Sequence, residues 1–100
     1  KYKQKLNMNN FKEVILNKIC YTDLVYGRIN KKLNLSLSND AIEELILEII
    51  KETFPSEFIK IGKNIYISNH KKNIRLTINS FTNRIITADK LQSNKIDIKQ

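Results

Sequence analysis

A chain of 100 residues, 41% apolar and 28% charged, suffices for one domain with its own core and is too short for two. No apolar run approaches the roughly 18 residues of a membrane span, the single Cys20 excludes an intramolecular disulfide, and one histidine offers no zinc-ligand spacing. The formal charge of +8 is the kind that draws polyanions through long-range electrostatics and counterion release.

Where the charge sits says more than its total. Lys, Asn and Ile make up 45 of the 100 residues, a bias that AT-rich coding produces whatever the function. Residues 1 to 37 carry +6, 38 to 57 carry −5, and 58 to 100 carry +7. Coding bias alone does not segregate the signs in this way, although acidic helices behind a basic sheet are also ordinary soluble-protein design.

Residues 1–8 read as a flexible arm or expression remnant, with Met8 a candidate start. They lack the apolar core and cleavage site of a signal peptide. Residues 9–92 read as a single domain and 93–100 as a tail. In NNFKEVILNKI, the residues Phe11, Val14, Ile15, Leu16 and Ile19 follow helical spacing behind a cap at Asn9 or Asn10. In TDLVYGRINKKL, a stripe of Leu24, Val25, Ile29 and Leu33 leaves Arg28, Lys31 and Lys32 on another face, with Thr22 as cap. Gly27 inside this second helix implies a closely packed neighbour or a bend, and close packing is the preferred reading. Cys20 reads as a small buried hydrophobe.

The third helix is the most fully specified. Ser38 caps it, Leu37 can staple to Ile42, and Asp40, Glu43 and Glu44 match the positive end of its dipole. Ala41, Ile42, Leu45, Ile46, Ile49 and Ile50 form a broad apolar face, and Pro55 follows its end. The period then drops from helical to two: FIKI, a Gly62-Lys63 turn and NIYIS make one hairpin, and NIRLTIN and RIITA make a second around SFTN. The fold expected is α+β, with N-terminal helices packed on one face of a C-terminal antiparallel sheet of about four strands.

Strand parity sorts the two faces of that sheet. Ile65, Ile67, Ile74, Leu76 and Ile78 point toward the helices, so Tyr66, Ser68, Arg75, Thr77 and Asn79 point away. Pairing Ile67 with Ile74 sets Tyr66 opposite Arg75. For the last strand, Ile78 opposite Ile85 turns Arg84, Ile86 and Ala88 outward. A one-residue bulge in the turn instead puts Ile85 and Thr87 outside, and this register is preferred because Ile86 and Ala88 then extend the core.

This outer face carries the parts that RNA cleavage through the 2′-hydroxyl needs: proton carriers, and a cation for the phosphorane charge. Arg75 suits the cation role because a guanidinium binds phosphate oxygens bidentately. His70 and Tyr66 can move protons. Lys71, Lys72, Thr77, Asn79, Arg84, Thr87 and, on the second helix, Arg28 are candidate nucleic-acid contacts. The same arrangement also serves as a binding surface on which a base stacks without chemistry. Plainer explanations stand beside each residue. His70 fits a solvated loop, Tyr66, Thr77 and Thr87 fit strand preference, Lys31 and Lys32 fit a solvated helix face, and Arg75 has a structural use if Asp89 pairs with it.

The segments ICYTDLVYGRINKKLNLSLS, GKNIYISN and NIRLTINSFTNRIITADKL resemble the small bacterial family known as domain of unknown function 3781 (DUF3781), from Phe11 to Leu91. That resemblance implies no particular activity. The order of elements is also similar, more loosely, to the barnase, colicin D and RelE group of metal-independent ribonucleases and toxins. This second likeness implies an active sheet face carrying Tyr66, Arg75, Thr77 and Thr87, although the sequence offers no obvious Glu/His pair. The expectation is a cytoplasmic, RNA-directed protein without metal or cofactor. The alternative is a protein-interaction or dimerisation module acting through the same face or the second helix.

Overall fold

The computed structural model describes residues 11–91. The expected arm, the cap at Asn9 or Asn10 and the C-terminal tail lie outside the described residues. Residues 11–18 form α1, which buries Ile15 and rests Phe11 and Leu16 against the core, whereas Val14 is exposed. Lys12 reaches from this helix to the end of α3, Asn39–Glu52, where its Nζ donates to the carbonyls of Lys51 at 2.9 Å and Thr53 at 2.8 Å. A lysine there satisfies free carbonyls and offsets the negative end of the helix dipole.

The second helix, α2, spans Val25–Leu33 and buries Val25, Ile29 and Leu33 as its spacing predicts. Three details differ from the sequence reading. Leu24, not Thr22, occupies the N-cap, and no side chain caps there; Thr22 contributes only its carbonyl, which accepts from Val25 N–H at 3.2 Å. Leu24 is 81% exposed, because capping places it before the first helical turn, off the buried stripe. Among the described residues nothing lies within 4 Å of where a Gly27 Cβ would stand, so no close packing there explains it. Asn34, in the left-handed region at φ 58°, ends the helix. The Asn30 side chain then exchanges two 3.0 Å hydrogen bonds with the backbone of Leu37, fixing the approach to α3.

Ser38 caps α3, its hydroxyl accepting from Ala41 N–H at 3.1 Å, and Ile42, Ile46, Ile49 and Ile50 are fully buried. Each such isoleucine stabilises the fold by about 1.5–3 kcal/mol. The buried Thr53 hydroxyl donates to Ile49 O at 2.6 Å and accepts from Asn69 Nδ2 at 3.0 Å, which ties the helix end to the sheet. A single 3-10 turn, Pro55–Glu57, leads into the strands.

The strands β1 (Phe58–Ile61), β2 (Asn64–Asn69), β3 (Ile74–Asn79) and β4 (Ile85–Lys90) form an antiparallel meander in that order. The molecule is therefore α+β, three helices preceding a four-stranded antiparallel sheet. Phe58, Ile65, Ile67, Leu76, Ile78, Ile85 and Ala88 face the helices and close the core. Gly62, at φ 61°, opens the two-residue turn between β1 and β2, a backbone state that glycine reaches without steric cost.

Two registers differ from expectation. Ile67 pairs with Leu76, not Ile74, so Ser68 rather than Tyr66 faces Arg75. The cause lies in the turn: Asn69 Oδ1 accepts from Lys72 N–H at 2.9 Å and Asn73 is left-handed at φ 61°, giving a four-residue loop. The slip is two residues, so every face assignment survives. Between β3 and β4 the bulge sits inside the strand at Ile86, not in the turn. Ile78 still pairs with Ile85, and Thr77 pairs with Thr87. Hence Ile85 and Ala88 both enter the core. On the far side of β4, Cys20 forms a parallel bridge with Arg84 through Cys20 N–H to Asn83 O and Ile85 N–H to Cys20 O, both 3.0 Å. Cys20 is exposed rather than buried, because this edge position, not apolar packing, holds it.

Candidate functional site

The outer face of the sheet is organised in cross-strand rows. Ile59, Tyr66, Thr77 and Thr87 form one; Ser68, Arg75 and Asp89 form the next. Glu57, one residue before β1, stands beside Ser68 at the end of the second row. Within the first row Thr77 is only 7% exposed, and the Thr87 hydroxyl is buried without a hydrogen-bond partner among the described residues. Neither threonine offers an open hydroxyl to a ligand.

Arg75 is exposed, and its guanidinium lies over the Tyr66 ring, 5.6 Å from the centroid. That contact attracts the cation to the negative face of the ring while leaving its N–H donors toward solvent. No carboxylate pairs with Arg75 among the described residues, since the Asp89 opposite it is held by Lys32. Arg75 and Tyr66 line a shallow groove of about 380 Å³ with Ser68 and the exposed Ile59 and Ile61.

Ser68 also lines a second, larger hollow of about 510 Å³, with Glu57, Asn69, His70, Lys71 and the exposed Phe54 among its walls. Here His70 Nε2 approaches Glu57 Oε1 at 3.6 Å. No Glu/His pair is evident in the sequence because Glu57 and His70 lie 13 positions apart, on either side of the first hairpin. The signal for it was strand parity carried one residue beyond each end of that hairpin.

The remaining candidates separate from this area. Lys72 turns to α3, where its Nζ is 3.7 Å from both Glu48 and Glu52. Asn79 belongs to the β3–β4 turn, its Oδ1 accepting from Phe81 N–H at 2.8 Å and Thr82 N–H at 3.1 Å. Arg28 and Arg84 meet instead at a hollow of about 260 Å³ between α2 and β4, beside Leu24. Arg28 Nη1 reaches Ile86 O there at 3.4 Å.

Behind the sheet, Tyr26 donates to Glu43 Oε2 at 2.6 Å and stacks on Tyr21, ring centroids 5.6 Å apart. The hydrogen bond to Glu43 pushes the Tyr26 pKa up from 10.0 to about 12, with burial adding to it. Burial raises that of Tyr21 as well, followed by the charge of Glu43. Among the described residues no three His, Cys, Asp or Glu side chains converge as metal ligands, and no helix is long and apolar enough to cross a membrane.

The family model described as protein of unknown function (DUF3781) matches residues 13–89. The chain belongs to that family. No curated protein and no solved structure matches it, so the likeness to the barnase, colicin D and RelE group rests on the order of elements alone. The match runs through α2, α3 and all but the last residue of the sheet, and so takes in Glu57, Tyr66, Ser68, His70 and Arg75.

Proposed function

We propose that this DUF3781 protein acts on RNA at the outer face of its sheet, as a metal-independent ribonuclease or toxin-like domain. One observation carries the reading: Arg75, exposed and unpaired by any carboxylate among the described residues, lies over Tyr66 in a groove that shares Ser68 with the larger hollow. An arginine held by a ring face keeps its fork of donors for phosphate oxygens, and the aromatic provides a stacking surface for a base. Lys71 adds positive charge at the larger hollow, and the net charge of +8 favours approach of a polyanion.

Incubating the purified protein with total bacterial RNA, with and without chelator, beside Arg75→Ala tests this. Chelator-resistant cleavage that requires Arg75 is the expected result. Intact RNA in every lane together with no RNA binding removes the reading.

A second reading has its own observation. Ile59 and Ile61, 53% and 64% exposed, lie on β1, whose outer edge pairs with nothing among the described residues. Such an edge suits strand addition by a protein partner or a second copy. A concentration-dependent mass abolished by Ile59→Lys supports it, and an unchanged monomer removes the homodimer.

A further inference from the structure

The larger hollow contains the pairing of titratable groups that the sequence did not reveal. We propose that His70 is the proton acceptor of an RNA-cleaving site centred on Ser68, and that Glu57 is its positioning residue; this rests on the RNA-directed reading above. Ser68 faces outward from β2, His70 opens the turn that follows the buried Asn69, and the two line the same hollow. Arg75 stands directly across the ladder from Ser68, with backbones about 5 Å apart. A phosphate resting over Ser68 is therefore within reach of imidazole on one side and guanidinium on the other. The Ser68 hydroxyl has no hydrogen-bond partner of its own among the described residues, and Lys71 lines the same hollow.

Glu57 stands where a small rotation would bring it onto the histidine. Its Oε1 lies 3.6 Å from Nε2, and Nδ1 has no partner among the described residues. A carboxylate on one nitrogen orients the ring, leaves the other nitrogen to take a proton, and stabilises the imidazolium that forms. In the reaction the 2′-oxygen attacks phosphorus and its proton passes to His70. The P–O5′ bond breaks as the O2′–P bond forms, and the 5′-oxygen takes a proton from solvent. The products are a 2′,3′-cyclic phosphate and a 5′-hydroxyl. Arg75 holds the charge gathered on the non-bridging oxygens. The hydroxide left in solvent recovers the proton from His70, so protons balance over the cycle.

The test uses a fluorescent single-stranded RNA oligonucleotide, with cleavage, product ends and binding anisotropy read separately for the wild type, His70→Gln, Glu57→Gln and Glu57→Asp. The wild type should yield cyclic-phosphate ends. His70→Gln should lose about 10²–10⁴-fold in rate with RNA still bound, and the fold should survive each substitution because neither His70 nor Glu57 belongs to the core. Glu57→Gln should lose less in rate with RNA binding unchanged, and Glu57→Asp should recover part of the loss. Cleavage that survives His70→Gln, or products ending in 3′-phosphate from the outset, overturns the assignment. RNA bound but never cleaved by the wild type overturns this pair and the ribonuclease activity while leaving the sheet face as an RNA-binding surface. RNA neither bound nor cleaved overturns the RNA-directed reading with it.

Discussion

The Asp89 carboxylate lies directly across the β3–β4 ladder from Arg75, yet it is Lys32, on α2, that holds it, at 3.0 Å. A helix at the sheet margin thus occupies the acid that stands opposite the arginine, and Arg75 settles on Tyr66 instead. Asp89→Asn removes the nearby negative charge without touching the outer groove. RNA affinity should rise, and stability should fall by no more than about 1 kcal/mol, the usual scale of an exposed ion pair. Parallel anisotropy and urea titrations check both; weaker RNA binding counts against Arg75 as the phosphate contact.

Gly27 lies in α2 with open space around it among the described residues. Gly27→Ala should therefore stabilise by about 0.5–1 kcal/mol through helix propensity and a less flexible unfolded chain. A lower melting temperature would reveal a close neighbour after all.

Asn69 links three elements through Thr53 and Lys72 N–H. Asn69→Ala strands a buried threonine hydroxyl and loosens the β2–β3 turn, and should cost about 1–3 kcal/mol by chemical denaturation. Hydrogen exchange at Lys72 N–H should quicken in step.

At Thr87 the hydroxyl is buried without a partner among the described residues. Thr87→Val keeps the shape and strand preference while removing an unpaired polar atom, so stability should be unchanged or up to about 1 kcal/mol higher. RNA activity should persist, since this hydroxyl is not open to a ligand.

High pH should unfold the protein through its tyrosines. Tyr26 donates to Glu43 as a neutral phenol, and its pKa in the folded state is raised from 10.0 to about 12. The stabilisation is complete below pH 10, where both folded and unfolded chains keep the proton, and fades as pH rises from 10 through about 12. Circular dichroism against tyrosinate absorbance should show unfolding and ionisation together in that window. Tyr26→Phe should flatten the alkaline decline.

Much of this architecture was legible in the sequence because it rests on periodicity. The α3 stripe, its Ser38 cap, the Gly62 turn and the outward parity of Tyr66, Ser68 and Arg75 all follow from spacing. What escaped was set by turn chemistry and by contacts between distant segments. Asn69 and Asn73 moved one register by two residues, and the bulge at Ile86 let Ile85 and Ala88 share one face. The site was half legible for the same reason. Arg75 and Tyr66 sit within strands, whereas Glu57 and His70 meet beyond the ends of a hairpin.

The bridge between Cys20 and Arg84 leaves the sheet with unlike margins: the chain itself holds the head of the β4 margin, and the other margin carries Ile59 and Ile61. Two copies meeting edge to edge along β1 about a two-fold axis would spend that margin on each other, and the pair so formed would be closed along it.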